Sequence, residues 1–570
     1  MAKILMYLAD LHYISEKSNA KTTVPVPLNI AYIAAYLEKY YPETFEIKLF
    51  KVPDDLWEQL NVRMPDIAAF SSYVWNHNLT HQFIREVKKK NPQTLTLMGG
   101  PNFHSDDEEW TRSYMPTYPD LDFYLVGEGE LNMREFARVY LEHGGSVDKL
   151  KRTYIEGSVS VHPDTGQVSI CNHRSSKTQM KELDDIPSPY LTGWLDEYLD
   201  NPNFSPILET NRGCPFACAF CNWGNATKSS VRQFSEDRLI EELNYIAKRN
   251  KSHSPYLYLA DANFGILKRD IRLSRELRRI ADETGFPGKI YMYYTKNSSK
   301  KIIEMGEILR DVFDEMTLSL QSMTDHALDL IKRKNIKLQT FFELYEYCKQ
   351  KGLKPSTELI YGLPGEGLED FYDGIKALLD HGMNRIHMIA LRLEAGTELG
   401  RTDSRKKYGF KTKFRAISQC MGIFANGNIS TSEYEEIVCA NNWMPQEDYF
   451  KIRLLHFFFA IFGKQFDVYN DLVHYINQES LSLSHFILGM ARDVDRTDPV
   501  CREVFDAFLK DASDELLDDM PTSWTPEMIE NLSKRKISLN VYYLLQLLSK
   551  EGALESFNAF ILKKLCEQKA

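Results

Sequence analysis

The stretch Glu209-Thr-Asn-Arg-Gly-Cys-Pro-Phe-Ala-Cys-Ala-Phe-Cys221 decides how the rest of the chain is read. Cys214, Cys218 and Cys221 stand four and three residues apart, directly after an apolar run at 207–210 that reads as a strand. A loop leaving a strand can curl so that three thiolates face one centre, and thiolates are soft donors suited to an iron–sulfur cluster or to zinc. A structural zinc needs a fourth ligand. No Cys or His follows within thirty residues, and Cys171 lies upstream across a proline-rich segment. Cys218 and Cys221 alone form a C-x-x-C pair of redox type, yet a third cysteine accompanies them and a thioredoxin-sized βαβ setting is missing. Three cysteines leave one iron of a cubane cluster open to another ligand.

Working outward, strand–helix alternation begins at this first strand and runs to about residue 400, with strands expected at 207–210, 256–260, 289–294, 317–320, 357–361 and 385–391. Six such units suit a partial or closed parallel barrel, whose chemistry sits at the carboxyl ends of its strands. Upstream, short apolar runs at 3–8, 67–71, 94–98 and 123–126 alternate with helical patterns at 28–39 and 79–90. That alternation implies an α/β, doubly wound parallel sheet with helices on both faces. Ligands of such sheets bind outside the strand carboxyl ends, so the candidate loops are 9–27, 72–78, 99–104 and 127–130. Residues 153–171 read as a hairpin turning at Asp164-Thr-Gly166, and 184–206, with four prolines, as a linker. Beyond about 440 the chain reads as helical and aromatic-rich, with Phe457, Phe458 and Phe459 as core. The expected division is 1–150, 151–206, 207–440 and 441–570.

Composition narrows the function classes. Of 570 residues, 43% are hydrophobic and 26% charged, and 29 Gly with 23 Pro exclude a collagenous or low-complexity chain. Acidic residues outnumber basic ones, 80 to 69, so no global field draws the chain to nucleic acid or anionic lipid. The most apolar stretch, 454–462, is far short of the ~20 residues a membrane span needs and reads as a buried helix. Nine cysteines without a secretion signal point to a reducing cytoplasm. The acidic cluster Asp511, Asp514, Glu515, Asp518 and Asp519 reads as a solvated face.

The cysteine motif resembles the C-x-x-x-C-x-aromatic-C signature of the radical S-adenosylmethionine (SAM) superfamily, with Phe220 in the aromatic position. Further landmarks of that barrel follow in order over about 200–440: Leu259-Ala-Asp-Ala-Asn-Phe-Gly265, Tyr294-Thr-Lys-Asn297, Ser319-Leu-Gln-Ser-Met323 with Ile331-Lys-Arg-Lys-Asn335, Tyr361-Gly-Leu-Pro-Gly-Glu366 and Leu393-Glu-Ala-Gly-Thr-Glu398. The resemblance implies a partial (β/α)6 barrel with a catalytic 4Fe–4S cluster on Cys214, Cys218 and Cys221. It also implies SAM chelated at the open iron and one-electron cleavage to a 5′-deoxyadenosyl radical, which a barrel interior shields from water. It places Asp261 and Asn263 at polar parts of SAM, Gln321 and Ser322 at its ribose or carboxylate, and Leu363 with Phe220 at its apolar side.

The first 145 residues resemble the Rossmann-like cobalamin-binding domain that precedes many such barrels. The resemblance rests on Val26-Pro-Leu-Asn-Ile-Ala-Tyr-Ile-Ala-Ala-Tyr-Leu37, Ser72-Tyr-Val-Trp-Asn76, Gly99-Gly-Pro-Asn102 and Val126-Gly-Glu-Gly-Glu130. It implies cobalamin contacts from Tyr73, Trp75, Asn76, Gly99, Gly100, Pro101, Gly127, Glu128 and Gly129. Asp10-Leu-His-Tyr-Ile-Ser15 departs from the D-x-H-x-x-G motif at Ser15, so His12 reads as a loop residue and no histidine is expected under cobalt. Together the two resemblances imply a methyltransferase acting on an unactivated carbon through the adenosyl radical and methylcobalamin. The alternatives are a cyclisation, rearrangement or oxidation with the same cofactors, or a cobalamin or redox sensor. The implied partners are a small-molecule or peptide substrate and an electron donor such as flavodoxin or ferredoxin, with neither nucleic acid nor a membrane span. The helical region from 441 is expected to close the barrel's open side.

Overall fold

The computed structural model describes residues 3–14, 24–171, 179–223, 231–250, 254–294, 299–313, 316–462, 468–534 and 538–569. Its first layer is a parallel sheet of β1 (Ile4–Ala9), β2 (Phe45–Phe50), β3 (Ile67–Ser71), β4 (Leu95–Gly99) and β5 (Phe123–Leu125), extended by antiparallel β6 (Ser158–Val161) and β7 (Val168–Ile170). The spatial order is β2-β1-β3-β4-β5-β6-β7. The order reverses between β1 and β3, and the crevice at such a reversal is where doubly wound sheets take their ligands. Strand β2 was not among the expected elements. Its alternation Phe-Glu-Ile-Lys-Leu-Phe suits an edge strand half in water, which a search for continuous apolar runs passes over. The expected hairpin is present, with Gly166 at φ +68° in its turn, but its strands hydrogen-bond to β5 and so continue the first sheet.

The barrel is two three-stranded parallel sheets. One is β8 (Ile207–Leu208), β11 (Tyr256–Leu259) and β12 (Lys289–Tyr291); the other is β13 (Met316–Thr317), β14 (Pro355–Tyr361) and β15 (Ile386–Ala390). Between β8 and β11, the short β9 (Asn211–Arg212) and β10 (Arg232–Gln233) pair antiparallel across the cysteine loop. Alternation sets the faces: Leu257, Leu259 and Ile290 point outward against Leu239, Leu243, Leu273 and Leu277 of the surrounding helices, all buried. The tyrosines at 256, 258 and 291 take the opposite face, where Tyr258 and Tyr291 stack with centroids 5.2 Å apart. Part of the landmark at 294–297 lies outside the described residues.

Two regions differ from the sequence reading. The proline-rich segment at 184–206 is packed in place: Ile186, Tyr190, Leu195 and Leu199 are buried in one core with barrel residues and with Tyr32 and Tyr36 of the helix Leu28–Tyr40. Residues Val24–Pro25 pair with Phe204–Ser205, fastening it to the first domain. The second difference is a long antiparallel hairpin, β16 (Lys411–Phe424) and β17 (Ile429–Ala440). The backbone N–H of Val438 donates to the Leu391 carbonyl at 2.9 Å, which extends the barrel wall beyond β15. At the hairpin's other end, Phe424, Ala425 and Ile429 join the core of the first domain. The helix Gln446–Phe462 and its neighbours pack outside the barrel strands, where the sequence reading expected a closure of the open side. Most pack on the outer helices behind β14 and β15, in one core holding Phe371, Ile375, Phe457, Phe458 and Phe459, while Leu517 pairs with Phe414 and the helix Pro526–Lys534 lies on the hairpin β16/β17.

Candidate functional site

A cavity of about 1250 Å³ lies between the strand ends of the first sheet and the mouth of the barrel. Of the residues expected around a corrin, Tyr73, Trp75, Gly99, Gly100, Pro101, Gly127, Glu128 and Gly129 are on its wall. Tyr73 and Trp75 stack with centroids 4.5 Å apart and planes 8° from parallel, presenting a flat aromatic surface. Gly100 sits at φ +116°, and a Cβ there would meet the Ser72 carbonyl oxygen at 2.5 Å, so only glycine lets these two loops close on each other. Asn76 is not on the wall. It is buried, its amide donates to the Leu11 carbonyl at 2.9 Å and its Oδ1 accepts from the Tyr73 amide at 2.8 Å, so it braces the loop that carries the two rings.

The floor of the crevice holds charge that the motif search did not select. Lys51 Nζ donates to Asp10 Oδ2 at 2.6 Å, and Ser71 donates to Asp10 Oδ1 at 2.5 Å, with all three side chains buried. Burial opposes the Asp10 charge, but Lys51 beside it holds the carboxyl below its usual range. Burial, aided by Lys51, pushes His12 down to about 4, so its imidazole is neutral at pH 7. The buried His12 Nδ1 and Asn29 Oδ1, both on cavity residues, have no partner among the described residues. Orphaned polar atoms on the wall of so large a cavity fit a bulky, amide-decorated ligand such as cobalamin.

On the barrel side the wall includes Gly213, Asn222 and Trp223, which flank the three cysteines. The cysteine loop is tied at two points: the Ala219 amide donates to the Ile331 carbonyl at 2.9 Å, and the Leu399 amide donates to the Ala219 carbonyl at 2.9 Å. Phe220 packs against the buried group of Ala219, Ile331, Leu363, Leu393 and Tyr408. The thiols themselves are half-buried. Asn263 Nδ2 lies 3.1 Å from Cys214 Sγ, and Arg333 Nη1 lies 3.9 Å from Cys218 Sγ. Among the described residues no group of three or more His, Cys, Asp or Glu closes on a single ion. A cubane cluster spreads three thiolates over separate corners, which a curled loop of half-buried cysteines with amide and guanidinium donors beside the sulfurs fits. The Asn222 Oδ1 next to Cys221 and the Glu366 Oε2 are buried without a partner among the described residues, and so leave polar capacity for a ligand there.

The remaining expected SAM residues divide. Asp261 is fully buried behind the loop: its Oδ1 accepts from the Thr210 and Asn211 amides at 2.7 and 3.1 Å, and its Oδ2 from the Thr210 hydroxyl. It therefore locks β8 to β11, and burial pushes its carboxyl up to about 7. Gln321, at φ +68°, donates from Nε2 to Glu358 Oε2 at 3.1 Å, and Ser322 donates to Glu366 Oε1 at 2.6 Å. Burial also pushes Glu366 up to about 7. Leu363 is enclosed in the apolar group under the loop. Across the mouth, Arg212 bonds Glu130 through both terminal nitrogens at 2.7 and 3.2 Å and Glu209 through Nε at 3.0 Å, with Glu128 at 3.6 Å. Arg232 adds a second cation to Glu128 at 2.6 Å. These pairs join the Gly127–Gly129 loop to the strand that leads into the cysteines.

Comparison with known proteins gives a consistent result. The family model described as the Radical SAM superfamily matches residues 208–378, and that of the B12 binding domain matches residues 21–137. The chain is 31% identical over 392 residues to the cobalamin-dependent radical SAM methyltransferase TokK of Streptomyces tokunonensis, covering 67% of this chain and 54% of TokK. It is 36% identical over 325 residues to the 2-(S-pantetheinyl)-carbapenam-3-carboxylate methyltransferase of Streptantibioticus cattleyicolor, covering 56% and 45%. The chain thus spans about half the length of these curated relatives. Among solved structures, the cobalamin-dependent SAM radical enzyme OxsB with aqua-cobalamin and SAM bound shares the fold with a TM-score of 0.55 at 14% identity, over 99% of this chain and 81% of OxsB. The SAM methyltransferase TsrM of Kitasatospora setae, with tryptophan and aza-SAM bound, gives 0.53 at 13%, over 76% and 85%. No described helix is long and apolar enough to cross a membrane.

Proposed function

The chain is a radical SAM protein with a B12-binding domain ahead of its barrel, and from that premise we propose that it is a cobalamin-dependent radical SAM methyltransferase acting on an unactivated carbon of a small molecule. The observation that carries this reading is the single cavity walled by the strand-end loops of the first domain on one side and by the flanks of the cysteine loop on the other. Methyl transfer needs both cofactors to reach one substrate atom, and a shared cavity provides that reach. When bound, the cluster supplies the electron that cleaves SAM and cobalamin supplies the methyl group.

The chain's own residues position and shield. Cys214, Cys218 and Cys221 hold the 4Fe–4S cluster. Asn263, Gln321 and Ser322 flank the SAM site, with Phe220 and Leu363 as its apolar support and Asp261 as the brace behind it. Tyr73, Trp75, Gly99, Gly100, Pro101 and Gly127 to Gly129 form the corrin bed, with Asn76 holding the loop beneath. His12 lies on the crevice floor beside the buried Asp10–Lys51 pair, and because the segment departs from D-x-H-x-x-G at Ser15 we read it as a loop residue of the corrin bed. An electron donor of the flavodoxin or ferredoxin type serves the cluster, and the reducing cytoplasm suits both donor and thiolates. Both TokK and the carbapenam enzyme are named methyltransferases, which favours methyl transfer over ring closure or oxidation. A sulfur-linked acid related to the latter enzyme's substrate is the first compound to offer.

The test is anaerobic reconstitution with iron, sulfide and hydroxocobalamin, followed by SAM and a reductant. 5′-Deoxyadenosine together with S-adenosylhomocysteine is the expected outcome. Deoxyadenosine alone after candidate substrates are supplied would replace methyl transfer by another radical outcome. Absence of both products with cluster and corrin in place would overturn the enzymatic reading.

A further inference from the structure

The three thiolates account for ligation but not for the two buried polar side chains aimed at their sulfurs. Asn263 is 5% exposed and donates from Nδ2 to Cys214 Sγ at 3.1 Å. Arg333 is 8% exposed and is fixed on three sides: Nε donates to Asn335 Oδ1 at 2.9 Å, Nη2 to the Ser319 carbonyl at 2.5 Å, and Nη1 faces Cys218 Sγ at 3.9 Å. Asn335 is itself anchored, donating to the Leu320 and Ser322 carbonyls at 2.8 and 3.1 Å. Among the described residues, Arg333 has no carboxylate within ion-pair distance. A buried guanidinium is costly unless negative charge faces it; after burial itself, Cys218 on the loop it points into acts on it most strongly, with Glu358 and Cys221 adding to it.

We propose that Asn263 and Arg333 are positioning residues for the cluster, two donors to two of its sulfurs that raise its reduction potential and so ease entry of the single electron from an external low-potential donor. This rests on the reading that Cys214, Cys218 and Cys221 hold a 4Fe–4S cluster. The physical reason is that donors and positive charge beside cluster sulfurs stabilise the more negative, reduced form. The two act from different segments, Asn263 from the turn after β11 and Arg333 from the segment before the helix Leu338–Gln350, so each can be removed without the other. Within the loop the Cys221 amide donates to the Cys218 carbonyl at 3.0 Å.

The experiment is an EPR-monitored redox titration of the full chain, reconstituted and without SAM, for wild type, Arg333→Met, Arg333→Lys and Asn263→Leu. Iron and sulfide content is measured on each. Arg333→Met is expected to cut the reduced-to-oxidised ratio at the wild-type midpoint about tenfold, a fall of about 59 mV for a one-electron couple. Asn263→Leu should lower the midpoint less, and Arg333→Lys should restore part of the Arg333→Met loss because it keeps the charge. A wild-type cluster with midpoints unmoved in both Arg333→Met and Asn263→Leu overturns this inference alone. So does an Arg333→Met protein that assembles no cluster while Arg333→Lys and Asn263→Leu hold one at the wild-type midpoint, since Arg333 would then be a brace only. A wild-type chain that forms no such cluster overturns the functional reading and this inference with it.

Discussion

The first-domain wall of the cavity and the core behind its barrel wall hold buried charge by opposite means. In the first-domain crevice and across the mouth from it charge is met by charge: Lys51 with Asp10, Arg212 with Glu130 and Glu209, Arg232 with Glu128. Under the cysteine loop it is met by dipoles. Asp261 is held by two amides and a hydroxyl, and Glu366 by the hydroxyls of Ser322 and Thr324. Ion pairs cancel their own fields and fix geometry, which suits a wall that must hold two domains in register. Carboxyls held by dipoles have no cation beside them and are raised to about 7 by burial, so they carry less charge near neutral pH, which suits a core behind a cluster and a charged cosubstrate.

The sharpest way to break this contrast is to remove one partner of a pair. Arg212→Met leaves Glu130, Glu128 and Glu209 facing one another with one cation fewer, and should cost about 3–5 kcal/mol of unfolding free energy. Lys51→Met should cost a similar amount, whereas the double variant Asp10→Asn/Lys51→Met should recover part of it, because no unpaired charge stays buried. Thermal or denaturant unfolding of wild type, Arg212→Met, Lys51→Met, Asp10→Asn and the double variant reads both effects, and additive losses at Asp10 and Lys51 would contradict the account.

Behind the barrel wall the expected losses are smaller. Asp261→Asn keeps one acceptor oxygen for the Thr210 and Asn211 amides but loses the Thr210 hydroxyl bond, and should cost about 1–3 kcal/mol. The same core should also set a pH dependence. Asp261 and Glu366 have ordinary values of 3.8 and 4.5 and are raised to about 7 in the folded chain. Their protonated forms fit the fold, so the stability they contribute is complete below pH 4 and is lost as pH rises through 7. Denaturation midpoints of the cofactor-free chain between pH 5 and 8 should fall with rising pH, and Asp261→Asn with Glu366→Gln should flatten that slope. The Asp10 pair runs the other way, since a lowered carboxyl stabilises at pH above its ordinary value. The smallest effect is the control: Lys332 and Glu398 pair at 2.6 Å in the open, and Lys332→Ala should change stability by less than about 1 kcal/mol.

Legibility in the sequence followed contiguity. Three cysteines within eight residues, the glycine loops and Tyr73 with Trp75 were readable because one loop carries each set. Asn263 and Arg333 meet their sulfurs across 49 and 115 residues, and no local pattern marks them beyond their place in the landmark segments. Asp261 and Asn76 were readable as polar residues near the site, but whether such a residue faces a ligand or braces a loop depends on which backbone donors reach it. The hairpin was missed for a related reason. Lys411–Phe424 mixes charged and apolar residues without clean alternation, because both its ends meet other parts of the protein. Glu433 illustrates this: it accepts from the Asn78 and Leu79 amides at 2.9 Å, closing the start of a helix some 354 residues away.

Local periodicity alone was enough for most strands and helices of the two α/β units, and the donor set for the cluster-type chemistry of the cysteine loop, whereas β2 and the long hairpin escaped it. Periodicity and donor set are fixed once the residues are written. Only the tertiary structure decided that the two strand-end surfaces enclose one cavity, that the hairpin spans both domains, and that the first-domain wall is ion-paired while the core behind the barrel wall is held by dipoles. Burial and partner choice are properties of the packed chain: the same carboxylate is a ligand, a brace or half of an ion pair according to which distant donor the fold brings within 3 Å.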